Sequence, residues 1–85
     1  MRPGMVVYSK AGRDKGAPFI VLKCEGEYAY LTDGQSRPLN KPKKKKLKHI
    51  QPTNTTIEDI KHKIEHNLHI MDSDIVKALK SVKQP

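Results

Sequence analysis

The sequence predicts a mostly β fold: a small closed or nearly closed β-barrel followed by two short α-helices. Two observations support this prediction in a chain of 85 residues. The first half reads as short β-branched and aromatic segments separated by turn residues. The second half instead places apolar residues at helical spacing. We therefore expect a barrel over residues 1–54 and a helical C-terminal extension over residues 55–85.

The predicted barrel contains five short strands, a number typical of small barrels. Asp33-Gly34 is a strong hairpin signal, because both residues tolerate a positive φ. Pro38 and Pro42 fit connections or sheet edges, since proline cannot donate a hydrogen bond within a central strand. The five strands are predicted at Met5–Ser9, Ala17–Cys24, Tyr28–Thr32, the "SRPL" at 36–39 and the "KKLKHI" at 45–50.

Two amphipathic helices are predicted in the extension. Thr55 and Glu58 have the spacing of a capping box at the start of the first helix. Asp72 or Ser73 is expected to cap the second, which runs to about Val82. Neither helix is expected to be stable alone, so each apolar stripe must pack on the other helix, on the barrel or on a partner. The stripes are Ile57, Ile60, Ile64, Leu68 and Met71 in the first helix, and Ile75, Val76, Leu79 and Val82 in the second.

All of the net positive charge lies in the first half. The chain has a formal net charge of +8, and residues 55–85 contain five lysines and five acidic residues, which cancel. Residues 1–54 therefore hold the whole excess, and we expect an anion to bind there. RNA, DNA and an anionic membrane are the candidates. A membrane is the weakest of them, because the basic segment lacks an apolar partner face.

Cys24 is the only cysteine, so the chain cannot form an internal disulfide or a cysteine-rich zinc site. Within a strand-like segment it is expected to be a small buried apolar residue, with a reactive thiol as the alternative. The sequence shows neither a signal-peptide pattern nor a membrane-spanning segment. We therefore expect a soluble cytoplasmic protein.

The segment "SKAGRDKGAPFIVL" at residues 9–22 could bind phosphate or form a hairpin. A nucleotide-binding P-loop is excluded for two reasons. The spacing of Gly12 and Gly16 differs from that of the P-loop glycines, and a P-loop precedes a helix, whereas here an apolar strand follows. Gly12 and Gly16 instead indicate a turn that needs unusual backbone angles. Three cations lie at the same tip, namely Lys10, Arg13 and Lys15. Such a turn can simply be solvated, or it can contact an anion.

A dense lysine run follows in "NKPKKKKLKH". A solvated, disordered segment is one interpretation of such a run. However, it lies between strand-like segments, which favours a fixed rank of ammonium groups suited to a phosphate backbone. We expect phosphate contacts from Arg37 and from this run, which consists of Lys41, Lys43, Lys44, Lys45, Lys46 and Lys48. Tyr28 and Tyr30 share one strand face, where they either stack on bases or belong to the core.

The sequence contains no arrangement typical of catalysis. No Ser–His–Asp, paired-carboxylate or Cys–His pattern is present, so we expect neither an enzyme nor a cofactor. His62, His66 and His69 fall on the helix face opposite its apolar stripe. They are expected to be exposed polar residues rather than metal ligands, because a zinc site needs further ligands.

The first half resembles the KOW domain. The pieces "PGMVVYSKAGRDKGAPFIVL", "YAYLTDG" and "RPLNKPKKKKLKHIQPT" occur in the expected order over residues 3–54. More narrowly, they resemble the large-subunit ribosomal proteins of the fourteen-e group and short bacterial proteins of the same pattern. The resemblance implies an SH3-like β-barrel that binds RNA, usually ribosomal RNA. It implies that Gly16 corresponds to the key glycine of the family's first hairpin and that residues 10–15 form the RNA-facing loop.

The expected function is therefore RNA binding, associated with the ribosome. Structured RNA would be recognised through its backbone and shape. The alternative is a protein-interaction adaptor of the transcription or translation machinery, in which residues 55–85 bind a protein partner. The free protein is expected to be a monomer.

Overall fold

A five-stranded antiparallel sheet and two helices form the protein. The structure is a computed structural model that describes residues 1–82, so the last three residues of the predicted extension lie outside it. A 3-10 turn at Leu47–His49 separates the fourth and fifth strands. The elements are β1 (Met5–Ser9), β2 (Pro18–Glu25), β3 (Tyr28–Thr32), β4 (Lys43–Lys46), β5 (Ile50–Thr56), α1 (Glu58–Glu65) and α2 (Asp72–Lys80).

The sheet is open rather than closed. Its strand order is β4-β3-β2-β1-β5, and every neighbouring pair is antiparallel. Within the described residues, the edge strands β4 and β5 do not pair with each other. The predicted strands followed by two C-terminal helices are therefore confirmed, but the protein is a mixed β and α structure and a closed barrel is not formed.

The first three predicted strands are confirmed almost residue for residue, whereas the fourth is wrong. Residues 36–39 lie in the β3–β4 loop, because the Asp33 carboxylate turns the chain back on itself and Pro38 cannot donate a ladder hydrogen bond. The predicted fifth segment, 45–50, contains the end of β4, the 3-10 turn and the start of β5. The β5 strand then continues to Thr56, past the predicted boundary at residue 54.

Two apolar clusters lie on opposite faces of the sheet, because successive strand residues point to opposite sides. The inner cluster consists of Val7, Phe19, Val21, Ala29, Leu31 and Ile50. The outer cluster joins Ile20 of β2 to Ile60 of α1 and Ile75 of α2. The helices therefore pack against the sheet of their own chain, which decides between the alternatives that the sequence leaves open.

The first helix is shorter than predicted. It begins after Ile57 without a side-chain cap, because pairing of Met5 with Thr56 keeps the preceding residues extended. The predicted cap by Thr55 is therefore wrong. The helix ends at Glu65, so the last two positions of its predicted stripe leave the core: Leu68 is 49% exposed and Met71 is 55% exposed.

The second helix is anchored to the β3–β4 loop. Met71 is its N-cap, and its backbone N–H donates to the Asp74 carboxylate at 2.9 Å, while Asp72 instead accepts from the backbone N–H of Leu39 at 2.8 Å. Gly34 adopts a φ of +76°, and a Cβ there would lie 2.5 Å from the carbonyl oxygen of Asp72. Only glycine allows the loop and the helix to approach this closely.

Cys24 is exposed, so the expectation that it is buried is wrong. It lies near the end of β2, which extends beyond the two apolar clusters. Among residues 1–82, no helix has the length and apolar character needed to cross a membrane.

Candidate nucleic-acid interface

The β1–β2 loop is a tight hairpin with an exposed basic tip. Gly12 and Gly16 adopt φ values of +83° and +86°, which confirms the predicted turn. The Gly16 backbone N–H donates to the carbonyl oxygen of Ser9 at 2.8 Å, which closes the loop. The side chains of Lys10, Arg13 and Lys15 are exposed on it.

The β3–β4 loop is fixed by the Asp33 carboxylate. This group accepts hydrogen bonds from the backbone N–H of Gln35 at 2.9 Å, from that of Arg37 at 2.8 Å, and from the Ser36 hydroxyl at 2.7 Å. Burial by itself would raise the pKa of Asp33, but these hydrogen bonds outweigh it and lower the pKa. The Thr32 hydroxyl also donates to the carbonyl oxygen of Arg37 at 2.7 Å. The backbone of Arg37 is therefore held in one position.

The two loops meet at one end of the sheet and form a basic cleft. It has a volume of about 280 Å³. Arg13 of the first loop, Arg37 of the second and Lys43 of β4 line it, together with Asp14, Phe19 and Ser36. Three cationic side chains thus face one carboxylate. Guanidinium groups bind phosphate through paired hydrogen bonds, so this cleft, which we call the arginine cleft, is suited to a phosphate group.

Asp14 links the β1–β2 loop to β4. One of its oxygens, Oδ2, lies 2.7 Å from Lys43 Nζ, and the other, Oδ1, lies 3.3 Å from Lys45 Nζ. The Ser9 hydroxyl donates to Oδ1 at 2.9 Å, and Lys45 also donates to the carbonyl oxygen of Ala11 at 3.0 Å. Burial would raise the pKa of Asp14, but the two lysines and the hydroxyl outweigh it and hold the pKa far below its ordinary value. We call this cluster the Asp14 clasp.

The lysine run does not form a single exposed rank. Alternation along β4 turns Lys43 and Lys45 inward to the Asp14 clasp, and Lys45 is only 8% exposed. Lys44 and Lys46 point to the outer face and are exposed. The expected continuous rank is therefore wrong for the two inward lysines, whose ammonium groups already have an anionic partner.

The remaining two lysines of the run lie at opposite ends of β4. Lys41 is exposed in the β3–β4 loop, where it lies in sequence between Arg37 and Lys43 of the arginine cleft. Lys48 is exposed in the 3-10 turn, and with Lys46 it lines a groove beside Gly26 and Glu27. The predicted site residues therefore divide between the two ends and the two faces of the sheet.

One residue of this surface, Lys23 of β2, is not predicted from the sequence. It lies over the ring of Tyr30, with its Nζ 4.8 Å from the ring centroid. Lys44 of β4 lies over the ring of Tyr28 at 4.5 Å. The alternating pattern of β3 places both rings on one face, but only the strand pairing shows which lysines accompany them.

We expect the Asp14 clasp to stabilise the fold. Asp14→Asn leaves the Lys45 ammonium buried without its charged partner, and we expect the free energy of unfolding to fall by about 2 kcal/mol at pH 7. The estimate lies between the values for exposed and fully buried pairs, because the Asp14 side chain is 18% exposed. Urea denaturation of both proteins measures the difference.

The stabilisation by Asp14 should disappear in acid. Its pKa in the folded protein lies below the ordinary 3.8, so the folded state binds fewer protons than the unfolded state. Its contribution is complete above about pH 5 and declines as the pH falls through 3.8 toward the folded-state value. The difference between wild type and Asp14→Asn should therefore shrink at pH 3. A difference that stays constant from pH 7 to pH 3 would contradict the assignment.

The histidines form no metal site with other ligands in the part of the chain that is described. The rings of His62 and His66 are adjacent, with centroids 4.3 Å apart, while His69 lies beyond the end of α1. Within residues 1–82, no group of three or more histidine, cysteine or acidic side chains is placed to hold a metal ion.

No protein-family model and no curated protein sequence significantly matches this chain. The resemblance of residues 3–54 to KOW domains therefore stays a prediction. Any functional assignment depends on the arginine cleft, on the charge distribution and on that resemblance.

Proposed function

We propose that this protein is a non-enzymatic RNA-binding protein that binds the phosphate backbone of structured RNA in the arginine cleft. The observation that supports this most strongly is the meeting of Arg13 and Arg37 in one cleft beside the Lys43–Asp14 ion pair, although the two arginines come from different loops. The exposed cations Lys10, Lys15 and Lys41 are on the two loops that form this end of the sheet.

Association with the ribosome is part of the same proposal. The resemblance to KOW domains suggests an SH3-like fold and ribosomal RNA as the ligand. The five-stranded antiparallel sheet, with a basic β1–β2 hairpin tip, is compatible with that suggestion. A backbone-directed site also suits RNA helices, whose deep major groove hides the base edges from side chains.

A salt titration tests the proposal. The full chain is titrated with a fluorescent ribosomal RNA hairpin at several salt concentrations, and anisotropy gives the affinity. With about five phosphate contacts, the logarithm of the association constant should fall with the logarithm of the salt concentration with a slope of about −4. A DNA duplex of equal length is the competitor that separates RNA from DNA binding.

Absent or salt-independent binding would contradict RNA binding by this cleft. A protein-interaction adaptor would then be the better candidate. The exposed apolar side chains of Leu68 and Met71, on the connection between the two helices, favour that second function over a purely structural extension.

A further inference from the structure

The outer face of β3 and β4 presents two tyrosine rings that belong to neither apolar cluster. The helices cover this face where Ile20 lies, but Tyr28 and Tyr30 remain half-buried beyond them. A lysine ammonium lies over each ring. The ring faces are therefore accessible to a polar group, which core aromatic rings are not.

The spacing of the two rings gives each of them room for a separate planar ligand. Residues two apart on a strand point to the same face and lie about 7 Å apart along it. Aromatic side chains exposed on a sheet in this way stack with unpaired RNA bases, because every base offers a π-face. Two adjacent nucleotides therefore match Tyr28 and Tyr30.

The charges around the rings suit a phosphate backbone. Register pairs Tyr28 with Lys46 and Tyr30 with Lys44, so an exposed lysine neighbours each ring on the next strand. Glu25 lies 2.8 Å from Lys23 and neutralises it. Within residues 1–82, no acidic side chain lies within ion-pair distance of Lys44 or Lys46. These two ammonium groups are therefore available to phosphates.

We propose that this face is a stacking platform on which Tyr28 and Tyr30 each bind one unpaired base, while Lys44 and Lys46 bind the adjoining phosphates. The inference rests on the proposed function, because it assigns a second surface for the same class of ligand. A base must displace the lysine from each ring. Stacking with a base is the stronger contact of the two, and the Lys44 ammonium released from the Tyr28 ring can then meet a phosphate.

The platform extends the arginine cleft across β4. Lys43, which lines the cleft, is the direct neighbour of Lys44 in that strand, and the two point to opposite faces. An RNA that leaves a helix as a single strand can thus place a backbone phosphate in the cleft and its next unpaired bases on the tyrosines. The expected ligand is a junction between paired and unpaired RNA.

Two single-stranded RNA decamers test the platform, one of mixed sequence and one abasic with the same number of phosphates. Wild type should bind the decamer with bases at least tenfold more tightly than the abasic one. The chain has no tryptophan and only three tyrosines, so quenching of tyrosine fluorescence reports stacking directly. Quenching is expected with the first decamer and not with the second.

Variants assign the effect to each ring. Tyr28→Ala and Tyr30→Ala should each weaken decamer binding about tenfold, whereas Tyr28→Phe and Tyr30→Phe keep the ring and should stay within twofold of wild type. None of the four should change the affinity for a fully paired RNA.

The possible outcomes show whether the stacking platform, the arginine cleft or both are wrong. Equal affinity of wild type for both decamers, with salt-dependent binding of paired RNA intact, would overturn the platform and leave the arginine cleft standing. Alanine variants that bind the decamer like wild type would do the same. Loss of binding to every RNA would overturn both proposals. The comparison of decamers uses wild type alone, so it decides the question even if an alanine variant fails to fold.

Discussion

Replacing both Arg13 and Arg37 by alanine is expected to weaken binding of the ribosomal RNA hairpin about a hundredfold. Each guanidinium lines the arginine cleft, and the loss of one charge-assisted contact is taken as about 1.4 kcal/mol, or tenfold in affinity. Two lost phosphate contacts should also flatten the salt slope by about 2. Circular dichroism should be unchanged, because neither side chain belongs to the apolar clusters.

The double variant Lys77→Ala/Lys80→Ala is the matched control. It removes the same two charges from exposed positions on α2 and leaves both loops intact. We expect its affinity to fall only a few-fold, since long-range attraction between exposed charges is screened by salt. If the two double variants lose affinity equally, net charge alone governs binding and the arginine cleft is not the site.

The second large effect concerns the attachment of the helices. Ile75 of α2 is fully buried against Ile20 and Ile60. Ile75→Ala should lower the free energy of unfolding by about 3 kcal/mol, because it removes apolar contacts and leaves a cavity. For a domain of this size, the melting temperature should drop by about 15 °C. Thermal denaturation followed by circular dichroism measures both changes.

Leu68→Ala is the control for this prediction. Leu68 is a member of the stripe predicted for the first helix, but it is 49% exposed, so its truncation should cost less than about 0.5 kcal/mol. Equal destabilisation by the two variants would contradict the exposed position of Leu68 beyond the end of α1.

Local patterns predicted much of the fold. The strands β1 and β3 are found where alternation and turn residues place them, and β2 is displaced by one residue. The β3–β4 loop was missed because its conformation depends on the Asp33 carboxylate and on docking of Asp72 against Leu39. The shortening of the first helix likewise follows from the pairing of β1 with β5, which is a long-range contact.

The candidate site was predictable in composition but not in arrangement. The sequence identifies Arg13, Arg37 and the lysine run as cationic, yet it does not show which cations meet. Asp14 is one of four acidic residues among the first 54, and no local pattern shows that it pairs with the inward side chains of Lys43 and Lys45. The sequence does not show whether Tyr28 and Tyr30 are buried or exposed. Periodicity predicts that the two rings share a face of the sheet, but it does not show whether other residues cover that face.

Local sequence is enough to predict the order of strands before helices, the glycine turn of the β1–β2 loop and the location of all the excess charge in the first half. These properties depend on neighbouring residues and on composition. Contacts between distant segments are needed to show that the sheet stays open, that the helices pack on its outer face, and that two of six lysines in the run turn inward. Such outcomes depend on which distant groups meet, because burial and ion pairing are set by contacts between segments far apart in the chain.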